Sequence, residues 1–432
     1  MRRVAWLVLA AVLWTGAAMA ETRIDLVRPD APALAAPGPH AVGVRTVTLP
    51  NADQIDELQA SAGAEPPRTD RVLTVEVWYP AAEGTVPGAT YTTVIRDGIT
   101  QTQLVGAAAR DAAPNADRAY PLVILSHGYP GNRMLMSHLG ENLASKGYVV
   151  ASIDHQDSTY SEQAAFGSPL VNRPVDQRFI LDAMASLSAG DGPLGGMINA
   201  DCVAIIGYSM GGYGALIFGG AGVTQSAVDL SWGAPAGLLS RHLAGTESHA
   251  ALYDPRVKAL IAIGPWGRAR DFWNGDGVAG LRIPTLFVAG SVDTVSGYED
   301  GIRQLWREAR YVDRTLLTFD NAGHNAAAPM PAPKESWAPV ESLGFVPFER
   351  YADPVWDSVR MNNILQHFAT AYLGKHLHDD PVMDRYLSLI PVGAEGVHAL
   401  NEAGQPKEEH TYWTGFAPGT AIGLRFEVLE AE

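Results

Sequence analysis

Residues 202–215 constrain this chain most. They read Cys-Val-Ala-Ile-Ile, then Gly207-Tyr208-Ser209-Met210-Gly211, then Gly212-Tyr213-Gly214-Ala215. A short apolar run rich in β-branched residues predicts a buried parallel strand, and the small residues after Gly211 suit a helix packed closely on it. Between them lies G-x-S-x-G, a turn so sharp that the serine backbone is strained and its neighbours must be tiny. Glycine on both flanks meets that demand and leaves the Ser209 hydroxyl projecting at the helix N-terminus. In a chain with 44 glycines the pattern alone is weak; strand, turn and helix in the required order give it weight. The competing reading is a glycine-rich turn whose serine merely caps the helix.

From Pro121 onward the chain alternates apolar strands with helices. Strands are predicted near 121–126, 148–153, 202–207, 257–263, 284–289 and 314–319, and helices near 133–146, 174–189, 210–219, 299–310 and 354–377. Leu135, Leu139 and Leu143 recur every fourth residue, and Lys146-Gly147 supplies a last-turn cation followed by a stop. Pro174 suits the first turn of the next helix, whose apolar face carries Ile180, Met184 and Leu187. Repeated βα units predict an α/β fold with a mostly parallel central sheet covered by helices on both faces. Ahead of it, 42–49 and 72–79 alternate and read as antiparallel edge strands around a solvated loop at 51–69, and the Ala- and Pro-rich segment 21–40 reads as an extended arm. The catalytic domain is expected over 41–377. An extension over 378–432 is expected to end in a hairpin at 412–429, turning near Pro418-Gly419, as an extra sheet edge or a small appendage. Two stretches, 220–256 with Trp232 and 326–353 with Trp337, break the alternation, as lids and binding loops do.

Residues 1–20 stand outside this pattern. Arg2 and Arg3 precede an apolar run, and Ala18-Met19-Ala20 forms a small-residue cleavage site, so a secretory signal cleaved after Ala20 is predicted. The run is too short for a stable span, no polar twin-arginine consensus surrounds the arginines, and no cysteine near the cleavage site offers a lipid anchor. A periplasmic or secreted protein without a stable membrane anchor is expected. Its 47 acidic against 31 basic residues give a formal net charge of −16, which disfavours nucleic acid and anionic lipid as partners. The single cysteine, Cys202, has no partner for an internal disulfide and reads as a small buried hydrophobe.

An elbow serine needs a base, and the base an orienting acid; on a parallel sheet these follow in the order Ser, Asp or Glu, His, on loops at strand C-terminal ends. The strand at 284–289 leads into Gly290-Ser291-Val292-Asp293, and that at 314–319 into Asp320-Asn321-Ala322-Gly323-His324-Asn325. His324 is therefore the expected base and Asp293 the expected acid, with Asp320, Glu299 and Asp154 as rivals. The oxyanion hole is expected to combine the N–H of Met210 with that of Tyr129, in the loop Ser126-His127-Gly128-Tyr129-Pro130-Gly131. His127 reads as a buttress for that loop. His155 and Asp157 lack a third partner at metal-ligand spacing, so neither metal nor cofactor is expected. Trp232, Trp266, Trp273 and Trp337 are candidates for an apolar acyl or aryl pocket, against the plainer role of covering the sheet ends.

The segments Leu125-Ser126-His127-Gly128-Tyr129-Pro130-Gly131-Asn132-Arg133, Leu143-Ala144-Ser145-Lys146-Gly147-Tyr148-Val149-Val150-Ala151 and Asp154-His155 resemble the platelet-activating-factor acetylhydrolase group and secreted dienelactone-hydrolase-like proteins. The resemblance spans about 40–377. It implies an α/β-hydrolase cleaving carboxylic esters without a cofactor, with Tyr129 and Met210 as oxyanion donors. Two departures matter. Dienelactone hydrolases proper use cysteine where this chain has Ser209. The acetylhydrolases take their acid from the strand after the elbow, where Ala259-Leu260-Ile261-Ala262-Ile263 offers none; an acid one strand later resembles bacterial cutinase-like esterases. The expected function is a serine esterase for small to medium, neutral or apolar esters. A peptidase or amidase shares the triad but needs an anchor for a peptide terminus, and no acidic pair clearly supplies one. An acyltransferase would pass the same acyl-enzyme to an alcohol. A non-catalytic binding protein would have no use for a full set of triad residues.

Overall fold

A computed structural model describes residues 21–432; the signal peptide read at 1–20 lies outside the described residues. Strand alternation builds the core. Val123, Leu125, Ala204 and Ile206 enter one apolar cluster, while Leu122, Ile124, Val203 and Ile205 enter another on the opposite face. Both faces are dry, which is why these strands read as continuous apolar runs. Helices Ser137–Ser145 and Ser358–His378 contribute to the first cluster, and Gly167–Ala189, Met210–Phe218 and Arg303–Glu308 to the second.

The main sheet has ten strands, in the order Leu424–Leu429, Arg314–Phe319, Thr285–Gly290, Val257–Ile263, Ile198–Tyr208, Tyr120–Ser126, Val149–Asp154, Arg68–Pro80, Val42–Ile55 and Ala109–Arg110. The run from Arg314–Phe319 to Val149–Asp154 is parallel throughout. From Tyr120–Ser126 the chain moves to Val149–Asp154 on one side, then returns to Ile198–Tyr208 on the other. The loops after Ser126 and Tyr208 thus leave adjacent strand ends, with Ser126 opposite Gly207. Open α/β sheets bind ligands at such a switch point.

Several expectations need correction. The helix expected to open at Pro174 starts at Gly167 and carries Pro174 inside it. Proline cannot donate to the carbonyl four residues back, and that carbonyl, Leu170 O, accepts the Tyr213 hydroxyl at 3.1 Å instead. The helix expected from 133 begins at Ser137 because the Asn132 carboxamide accepts the Met134 N–H (3.0 Å) and holds a turn. The loop at 51–69 is partly ladder: Gln54 pairs with Thr69 and Ile55 with Arg68 beyond a bulge, and Arg68–Pro80 is an interior strand. Its largely exposed, polar residues hid the pairing. A separate small sheet of Thr22–Arg23, Gln101–Val105 and Thr90–Val94 was not foreseen. The arm at 21–40 docks on the last helix, with Arg28 N–H on Asn363 Oδ1 (2.9 Å) and Leu34 N–H on His367 Nδ1 (3.1 Å).

No hairpin forms at 412–429. Leu424–Leu429 pairs antiparallel with Arg314–Phe319, while Trp413 and Phe416, ahead of the turn, are buried against Phe368. Burial of these rings wins over strand pairing. Cys202 is half-buried and free, its thiol donating to Leu377 O.

Burial also leaves a titration signature. Desolvation pushes His138, His155 and His367 down to about 3 and His242 to about 4. An unfolded imidazole titrates near 6.5, so unfolding takes up protons between these limits. The part of stability that rests on these neutral rings is complete above pH ~6.5 and declines as pH falls towards 4. The unfolding midpoint, followed by calorimetry, is expected to drop by roughly 5 °C or more between pH 7 and 4.5; a flat profile would contradict this burial.

Candidate active site

The turn after Ile198–Tyr208 is built as the sequence requires. Ser209 has φ 53° and ψ −112°, a strained backbone for a residue with a side chain. Its N–H donates to Ile263 O at 2.8 Å, and its carbonyl accepts from Tyr213 (2.9 Å) and Trp266 (3.3 Å), fixing the turn to its neighbours. A methyl group at Gly211 would fall 1.9 Å from the Ser126 carbonyl oxygen, and one at Gly207 would fall 2.2 Å from Gly211 O. Only glycine fits either position.

The structure brings Ser209, His324 and Asp293 together from three strand ends. Ser209 Oγ lies 3.0 Å from His324 Nε2, and His324 Nδ1 lies 2.8 Å from Asp293 Oδ2. Asp293 Oδ1 accepts the N–H groups of Val295 (2.8 Å) and Ser296 (3.0 Å). Burial pushes this carboxyl up, but the His324 ring and those two amides outweigh it and hold it below the ordinary carboxylate range. An ionised Asp293 keeps the ring proton on Nδ1 and turns the Nε2 lone pair to Ser209. The rival acids are engaged elsewhere: Asp320 with Arg425 (2.8 Å), Asp154 with Arg133, and Glu299 with Arg303.

The loop after Ser126 passes close by, since a methyl at Gly128 would meet Ser209 Cβ at 3.2 Å. Tyr129 lines the same cleft. Met210 opens its helix, where no intrahelical carbonyl reaches its N–H. The loop rests on a buried polar chain. Arg173, fully buried, donates to the carbonyls of His127 and Gly128 and to Ser158 Oγ (2.8 Å). His127 Nδ1–H donates to Gly128 O at 2.6 Å and Nε2 accepts from His155 N–H, a buttress within its own loop. Beneath it Ser126 Oγ–H donates to His155 Nε2 (2.8 Å), and His155 Nδ1–H to Asp176 (2.9 Å), which also takes Arg71. Asp157 meets Arg71 and Ser168. His155 therefore holds up the loop, while Asp157 braces Arg71 beneath it.

The tryptophans divide. Trp266 and Trp232 form an aromatic patch with Phe166, whose ring lies 4.9 Å from that of Tyr129. Trp273 is core: it is buried against Tyr213 and its Nε1–H donates to Ala221 O (3.0 Å). Trp337 is 65% exposed, packs on Phe348 and does not line the cleft. The cleft encloses about 100 Å³ beside Ser209 and His324.

Its walls include Arg96, Tyr160 and Arg350, which sequence reasoning missed. They sit on parts with no strand-order logic. Arg96 lies between the paired strands Thr90–Val94 and Gln101–Val105, and Arg350 ends the short turn Pro347–Arg350 inside the 326–353 stretch. That stretch is pinned to the histidine loop: Asp353 accepts Gly323 N–H (2.7 Å), and Asn325 donates to Glu349 O (2.9 Å) and Ala352 O (2.7 Å). Phe166 offered no signal beyond being aromatic.

Six neighbouring parallel strands, helices on both faces and a strand–serine–helix turn at the switch point define the α/β-hydrolase fold. The chain resembles the platelet-activating-factor acetylhydrolases: the family model described as platelet-activating factor acetylhydrolase, isoform II, matches residues 32–181. Cutinase 2 of Thermobifida cellulosilytica is 25% identical over 214 residues, covering 49% of this chain and 63% of that protein. Cutinase cut1 of Thermobifida fusca is also 25% identical over 214 residues, covering 49% of this chain and 52% of that protein. The match thus spans about half to three-fifths of these cutinases' length. The platelet-activating factor acetylhydrolase of Bos taurus is 39% identical over 59 residues, 14% of this chain and 13% of that one. The structure of a ferulic acid esterase from Streptomyces cinnamoneus superposes with a TM-score of 0.57 at 22% identity, covering 81% of this chain and 95% of that one; it shares the fold.

The glycine contact yields a test. Gly211→Ala is expected to cost about 3 kcal/mol or more in urea unfolding, because backbone must move on both sides. A loss under about 0.5 kcal/mol, the range of neutral surface changes, would contradict the close approach.

Proposed function

We propose that this chain is an exported serine hydrolase that cleaves carboxylic esters through an acyl-enzyme. The observation that carries the reading is the continuous hydrogen-bonded relay from Ser209 through His324 to Asp293, at 3.0 and 2.8 Å. In this reading Ser209 Oγ attacks the ester carbonyl carbon while its proton passes to His324 Nε2. Asp293 stabilises the imidazolium and stays ionised. The carbonyl oxygen becomes an oxyanion facing the N–H groups of Met210 and Tyr129. His324 then gives the proton to the leaving alcohol. Water, deprotonated by the same histidine, frees the acid and restores Ser209. Export is supported by the basic, apolar and small-residue pattern of 1–20, and no helix among the described residues is long and apolar enough to cross a membrane.

The cleft's ~100 Å³ favours small to medium esters. The patch of Phe166, Trp232 and Trp266 suits the apolar part of a substrate.

Initial rates on p-nitrophenyl esters test mechanism and size together. Ser209→Ala and His324→Ala are expected to lose several powers of ten in kcat, and Asp293→Asn roughly 10⁴, with folding retained. Acyl chains of about two to eight carbons should outrun longer ones. Near-normal turnover in the serine or histidine variant would refute the mechanism. A rate jump at an emulsion interface, or preference for long-chain triglycerides, would refute the size range.

A further inference from the structure

The cleft holds two cations that meet no anion of the protein. Arg96 and Arg350 both line it together with Ser209 and His324. Among the described residues neither guanidinium has a carboxylate partner or a side-chain hydrogen bond; Arg96 lies over the Tyr160 ring at 5.7 Å and Arg350 over Phe345 at 4.7 Å. Some arginines are matched by carboxylates, as Arg71 is by Asp157 and Asp176 and Arg268 by Glu308. Others, such as Arg118 and Arg282, lie over aromatic rings on other parts of the molecule. Arg96 and Arg350 differ in that both line the cleft of Ser209 and His324. In a chain of net charge −16, both of these uncompensated cations converge on the cleft that holds Ser209 and His324. Nearby carboxylates are already engaged, Asp293 by His324 and Asp353 by Gly323 N–H. Burial, and then the charge of Arg350, work against the cation at Arg96, a cost that an incoming anion would relieve.

The two arginines arrive on separate additions to the parallel core. Arg96 comes from the small sheet and Arg350 from the stretch after the catalytic histidine, and these two parts are tied by Thr102 Oγ–H donating to Glu335 (2.8 Å). The guanidinium fork suits carboxylate and phosphate oxygens.

We propose that Arg96 and Arg350 form a subsite for an anionic group, a carboxylate or phosphate, carried by the ester that Ser209 attacks. The inference rests on the esterase reading and replaces neutral esters, the class expected from the sequence, with charged ones. The small cleft keeps the anion within a few bonds of the scissile carbonyl.

The test pairs esters of matched size: mono-4-nitrophenyl glutarate against 4-nitrophenyl pentanoate for an anion on the acyl side, and 4-acetoxybenzoate against phenyl acetate for one on the alcohol side. The wild-type protein is expected to favour the charged member of at least one pair by about tenfold or more in kcat/KM, with the preference shrinking as salt rises. Arg96→Gln and Arg350→Gln should each cut that preference by about tenfold, and Arg→Lys at either position should keep part of it. Unchanged melting curves would confirm folding. In parallel, glutarate and inorganic phosphate are titrated calorimetrically into wild type and the Arg96→Gln/Arg350→Gln double variant. Binding that the double variant loses supports the subsite, and the tighter ligand tells carboxylate from phosphate. Equal kcat/KM within both pairs, with no binding of either anion at 10 mM (about a weak-site limit), overturns it. Absence of hydrolysis of all four esters would instead refute the esterase reading, and the calorimetry would still decide the subsite.

Discussion

The contact between Gly211 and the Ser126 carbonyl is the constraint on which the site depends. The turn at Ser209 and the loop after Ser126 leave neighbouring strands, and the distance between them is set by backbone against backbone. That approach puts Gly128 beside Ser209 Cβ and leaves Ser209 at φ 53°. Strain of this kind persists only where the surroundings over-determine it. Here they do: Ser209 is held by Ile263, Tyr213 and Trp266 through the main chain alone.

Beneath the contact runs the chain Ser126–His155–Asp176–Arg71, with Arg173 alongside. It has the residue types of a second Ser-His-Asp set, yet every member is buried. Burial alone would raise Asp176 and lower Arg71; their mutual pairing reverses both directions. Arg173, pushed down to about 9 by burial, stays charged at neutral pH and grips three acceptors of the loop region. Buried charges rarely add net stability over an apolar core, but they fix geometry, because breaking one partner leaves the other stranded. In this fold the geometry so fixed is that of the loop facing Ser209.

Much of this was legible in the sequence because parallel strands announce themselves as apolar runs and the elbow tolerates only glycine at set positions. The same logic gave Ser209, Asp293 and His324 their places, since chain order on such a sheet dictates which loops meet. Where that logic stops, so did the reading. Pro174 lies inside a helix because Tyr213 answers the freed Leu170 carbonyl, a contact between residues distant in sequence. Trp273 and Trp266 lie seven positions apart and look equivalent as letters, yet one is core and the other joins an aromatic patch with Phe166 and Trp232. Arg96 and Arg350 reach the cleft on parts outside the βα repeat, and their convergence on it is visible only in the structure.

The central claim is that Ser209 is the nucleophile activated by His324. It is tested most directly by covalent capture: the protein is treated with a fluorophosphonate and its intact mass and peptides are read by mass spectrometry. The account predicts one adduct per chain, carried by Ser209, forming quickly in the wild type and at least about a thousandfold more slowly in His324→Ala. An adduct on another residue, or labelling of Ser209 that ignores the loss of His324, would contradict it.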